Sequence, residues 1–172
     1  MSKPRKKYNP RKHRPSFDTF KLAIGQAMNT ATNDVDILDE PLADYERLLL
    51  GTVDVEGFTR LCEMAVATFC AGKLLIERGT PETKELGATF RMTGMVASDE
   101  LQAIGERYRT TGRLIGTGEQ YRNVKDALDA MRNIIPVLTR GELLTVLHEA
   151  ALIVEEGIET AKRVRLAERK AA

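Results

Sequence analysis

The sequence predicts an all-α protein, a bundle of about five or six helices preceded by a flexible basic arm. Three observations carry that prediction. Apolar residues recur at three- and four-residue steps from Phe17 to Val164, the period of one helix face. Residues that start and stop helices punctuate this pattern throughout. No segment alternates β-branched with polar residues, as a half-buried strand would.

The elements follow in chain order. Residues 1–16, MSKPRKKYNPRKHRPS, contain Lys3, Arg5, Lys6, Lys7, Arg11, Lys12 and Arg14 and no acid. Charge repulsion, three prolines and the lack of apolar residues leave nothing to offset the entropy of ordering, so a flexible arm is expected. Phe17, Phe20, Ile24, Ala27 and Met28 then mark a short helix. Residues 29–40, NTATNDVDILDE, are mostly turn formers and acids and predict a loop. Pro41 suits a first helical turn, and Leu42, Tyr45, Leu48 and Leu49 continue that helix to a stop at Gly51.

A longer helix is expected from about Val53 to Arg78, capped by Thr52 or Asp54 and closed by a left-handed Gly79. Its apolar residues, from Phe58 through Leu61, Ala65, Phe69 and Cys70 to Leu74, cover over half its circumference. Such a helix belongs at the centre of a core. Thr80-Pro81-Glu82 restarts the chain as a helix, with a capping hydroxyl and a first-turn proline. The stretch 81–118 holds six glycines and divides into helices near 81–96 and 99–111, capped by Ser98 or Asp99; a single bent helix is the alternative.

Tyr121, Val124, Leu128, Met131 and Ile135 form a narrow seam that Pro136 helps end. Thr139-Arg140-Gly141-Glu142 is a capping box. Leu143, Leu147, Ala150, Val154, Gly157, Ala161 and Val164 follow at steps of four and three. The short link predicts that these last two helices are antiparallel neighbours.

Length and composition bound the function. A chain of 172 residues, 42% hydrophobic and 30% charged, suits one domain, here 17–172. The most apolar stretch, Met64–Ala71, is far short of the roughly 20 residues that cross a bilayer. No apolar segment follows the basic N-terminus, so neither a secretory leader nor a membrane partner is expected. Cys62 and Cys70 lie eight apart on one helix, about 12 Å, too far for a disulfide. Buried thiols in a reducing cytoplasm are the expectation.

Catalytic resources are few. His13 lies in the arm, and His148 lacks the second histidine of a His-Glu-x-x-His zinc helix, where Leu152 stands. Thr145 likewise replaces the glutamate of a di-iron Glu-x-x-His motif. Gly112, Gly116 and Gly118 precede Glu119 rather than the Lys-Ser/Thr of a Walker loop. Asp34, Asp36, Asp39 and Glu40 lack EF-hand spacing and read as a solvated acidic loop. No catalytic residue, metal or cofactor is expected.

The charge distribution is the informative feature. Seven positive charges occupy the first sixteen residues, whereas the other 156 carry 19 basic and 25 acidic residues, a net of −6. The arm suits nucleic-acid phosphates, with Tyr8 able to stack on a base. A solubilising tail resting on the acidic body and a basic targeting address are the competing readings. Arg107, Arg109, Arg113 and Arg122, with Tyr108, Tyr121 and Lys125, surround the glycine-rich connection and, if the flanking helices pack, would form a second phosphate-contacting surface; an ordinary solvated surface is the competing reading. A gap of about seven residues there is too long for a helix-turn-helix.

The run Arg5-Lys6-Lys7-Tyr8-Asn9-Pro10-Arg11-Lys12, followed by a helical body with starts such as Asp99-Glu100-Leu101, resembles a group of small bacteriophage and mobile-element proteins. They share a basic arm with a Tyr-x-Pro core before a helical domain. The resemblance covers under a fifth of the chain and implies a setting, with no site residue to carry over. Together these features predict a non-enzymatic accessory protein, phage- or plasmid-derived, that contacts nucleic acid through its arm. The alternative is a structural module whose last helices bind a host protein or a second copy.

Overall fold

A computed structural model describes residues 35–171 of the chain. The basic arm, the helix expected over 17–28 and the first part of the expected loop lie outside the described residues. Five helices follow: α1 (Asp39–Leu49), α2 (Val55–Arg78), α3 (Pro81–Thr111), α4 (Gly118–Ile134) and α5 (Arg140–Ala171). Short 3-10 turns occupy Val35–Leu38 and Ile135–Val137. Among the described residues there is no strand, and the protein is an all-α bundle.

The centre of the bundle is α2, which packs against each of the other four helices. Asp54 caps it by accepting a hydrogen bond from Gly57 N at 2.8 Å. Its deepest face is built from small residues, among them Ala65, Ala67, Thr68, Ala71 and Gly72, while Phe58 and Phe69 lie half-buried at its flanks. Small side chains let neighbouring backbones approach closely, and α3 does so.

The buried residues of α3 are Gly87, Phe90, Gly94, Ala97, Leu101 and Ile104, a repeat of threes and fours. A Cβ on Gly94 would lie 2.4 Å from Phe69 N and 2.7 Å from Ala65 O. One on Gly72 would lie 2.4 Å from Arg91 N. Glycine is required at these places by backbone contact, since real Cβ atoms need about 3.5 Å or more to pack without strain. The pairing is antiparallel, because Gly94 meets Ala65 and Phe69 whereas Gly87 meets Gly72 and Leu75.

This contact resolves the glycine-rich segment. Pro81–Thr111 is one continuous helix of 31 residues rather than two. Ser98 is not a cap, for its hydroxyl donates to Gly94 O at 2.9 Å within the helix. Glycine weakens an isolated helix, but here the packing against α2 recovers that loss.

Other expectations are corrected by the same kind of local accounting. Ile37 and Leu38 pack into the core, so the expected loop turns into a 3-10 turn and the start of α1 before residue 40. Leu49, expected on the apolar face, is exposed, and Asp44 is buried in its place. Gly79 ends α2 in an extended conformation, φ −86°, not a left-handed one. Thr80 precedes Pro81, yet its hydroxyl donates to the Glu82 carboxylate at 2.8 Å instead of capping a backbone amide. That bond holds the Glu82 carboxyl below its usual range.

The last two helices do not form the expected antiparallel neighbours. The turn Ile135–Val137, containing Pro136, redirects the chain so that α5 packs on α2 rather than along α4. The capping box at its start is present: Glu142 N donates to Thr139 Oγ1 at 3.3 Å and Thr139 N donates to Glu142 Oε2 at 2.8 Å. Arg78, at the end of α2, pairs with Glu142 and donates to Val137 O at 3.1 Å, pinning this corner.

A buried carboxylate joins α1 to α2. Asp44 is fully buried and accepts from Arg47 Nη1 at 2.7 Å and from Arg60 Nε at 2.7 Å. Its oxygen fits against Gly57, where a Cβ would come within 2.5 Å of it. The hydrogen bond that Arg60 donates to Asp44 raises the Arg60 pKa further above its ordinary value. A charge out of water is tolerated only with such partners.

Two predictions follow from this packing. Gly94→Ala forces α2 and α3 apart and is expected to lower the urea-unfolding free energy by about 2 kcal/mol. Gly105→Ala on the same helix meets only Phe58 at 3.6 Å and is expected to gain up to about 1 kcal/mol from helix propensity. Equal effects at the two sites would contradict the close contact.

The second prediction concerns alkaline pH. Burial pushes the Cys62 thiol up to about 12 and the Cys70 thiol up to about 11, and raises the Tyr45 phenol as well. The native state therefore holds these protons more tightly than the unfolded chain. Stability is intact below the unfolded thiol value of about 8.5 and falls as pH rises toward the folded values. Urea unfolding at about pH 8 and about pH 10.5 should show this loss, reduced in Cys62→Ala/Cys70→Ala.

Candidate nucleic-acid interface

The candidate residues of the bundle gather around the connection between α3 and α4, residues 112–117. α3 stops because Gly112 adopts φ +69°, with its N–H donating to Tyr108 O at 2.8 Å. α4 starts from a capping box at Thr117: Gln120 N donates to Thr117 Oγ1 at 3.3 Å, and Thr117 N donates to Gln120 Oε1 at 3.0 Å. Leu114 turns inward and is buried between these ends.

The connection is fastened from both sides. Arg107 Nη1 donates to Ile115 O at 2.6 Å, and both its terminal nitrogens lie 3.3 Å from Gln120 Oε1. Tyr121 accepts from Gly116 N at 2.8 Å through its phenol oxygen. Tyr45 of α1 in turn donates to Tyr121 O at 3.1 Å. The backbone polar groups of this exposed turn are thus largely satisfied within the protein, which keeps it in one shape.

The sequence-predicted residues divide accordingly. Arg107 is half-buried and its guanidinium is committed to the connection, so its role here is structural. Lys125 forms an ion pair with Asp129, with Nζ 2.5 Å from Oδ1. Tyr121 is held by the bonds just described. Arg109, Arg113 and Arg122 are exposed and flank the connection at one end of the bundle, with Tyr108 beside them. Residues 106–126 contain five basic and three acidic side chains, so the local excess of positive charge is modest. Lys3, Arg5, Lys6, Lys7, Tyr8, Arg11, Lys12 and Arg14 lie outside the described residues.

Two features here escaped the sequence reading. Thr117-Gly118-Glu119-Gln120 carries the same hydroxyl-to-amide spacing as the box at Thr139, and that spacing was its signal. The Arg107–Gln120 contact has no local signature, because thirteen residues and a turn separate the pair.

Among the described residues, no helix is long and apolar enough to cross a membrane. No group of three or more His, Cys, Asp or Glu residues among them is placed to hold a metal ion. Comparison of the chain with protein-family models, curated proteins and solved structures finds no match.

The division of the arginines is testable by stability. Arg107→Ala removes the bonds to Ile115 and Gln120 and is expected to cost about 1 kcal/mol. Arg113→Ala removes an exposed side chain and should stay within about 0.5 kcal/mol of wild type. Chemical denaturation of both variants checks this; a larger loss at Arg113 would reverse the assignment.

Proposed function

We propose that the protein is a non-enzymatic, cytoplasmic accessory protein that contacts nucleic acid electrostatically through its basic N-terminal arm. The observation that carries this reading is the separation of charge: +7 with no acid in residues 1–16, against −6 in the remainder. Lys and Arg side chains that neutralise phosphates release condensed counterions, which favours binding whatever the sequence. Lys3, Arg5, Lys6, Lys7, Arg11, Lys12 and Arg14 are the phosphate contacts in this reading, and Tyr8 stacks on a base. Arg109, Arg113 and Arg122 supply a weaker second contact at the end of the bundle. The arm's likeness to those of small phage and mobile-element proteins sets the context.

A second reading, a helical interaction module, is favoured by one observation. The distal half of α5 exposes apolar residues, with Ile158 40% and Val164 51% exposed.

Fluorescence anisotropy of labelled duplex DNA and single-stranded RNA tests the first reading. Binding is expected to fall steeply between about 50 and 200 mM salt, with a log–log slope on duplex DNA of up to about −6 if all seven arm charges engage. Replacing the seven basic arm residues by Gln should abolish it. A full chain that binds neither polymer at low salt, or binding unchanged by the replacement, would overturn the proposal.

A further inference from the structure

We draw no further inference here: the strongest candidate, the exposed apolar stripe of Gly157, Ile158, Ala161 and Val164 on the distal half of α5, is an unpartnered helix face, and nothing in the structure shows what covers it.

Discussion

Two helix backbones in contact without side chains between them set the plan of this protein. Gly72 of α2 and Gly87 and Gly94 of α3 occupy places where a Cβ would lie 2.4–2.8 Å from main-chain atoms of the facing helix. Close approach brings many weakly attractive atoms together at once, and no rotamer can relieve an added methyl there. The antiparallel α2–α3 pair is thus fixed in register. Its outer surfaces then accept the rest. Thr68, fully buried, lies 2.9 Å from Met64 O and 3.1 Å from Ala127 O, so its hydroxyl faces α4. Asp44 ties α1 to the start of α2, and Arg78 holds the corner where α5 begins.

Packing and charge are separated along the chain. The bundle spends its polar side chains on its own connections, as Arg107, Gln120 and Tyr121 do around residues 112–117. Asp44, the one fully buried acid among the described residues, is answered by two arginines. In the sequence, positive charge is concentrated in residues 1–16, which contain seven basic residues and no acid.

Several elements were legible in the sequence because their signals are local. The wide apolar face of Val55–Arg78 announced a central helix, and Thr139 with Glu142 announced a cap. The seam at Val124, Leu128 and Met131 is likewise one-dimensional information. What was not legible depends on partners far along the chain. Six glycines between 81 and 118 suggest breaks, and only the facing backbone of α2 explains why Gly87 and Gly94 strengthen the helix pairing. Asp44 reads as a surface acid until Arg60, sixteen residues later, is brought beside it. The short link before α5 implies a hairpin with α4, but Pro136 and its 3-10 turn send the chain to α2. Of the candidate residues, Arg109, Arg113 and Arg122 are exposed, whereas Arg107 fastens the connection.

Native-state hydrogen exchange resolved by mass spectrometry addresses the α2–α3 contact most directly. If that pair organises the bundle, amides between about residues 65 and 75 and between about 87 and 97 exchange only through global unfolding, at the slowest rates in the protein. Amides of α1 and of α5 beyond Glu155 should exchange through smaller openings. Slowest exchange in α4 or α5, with α2 and α3 opening earlier, would contradict the account.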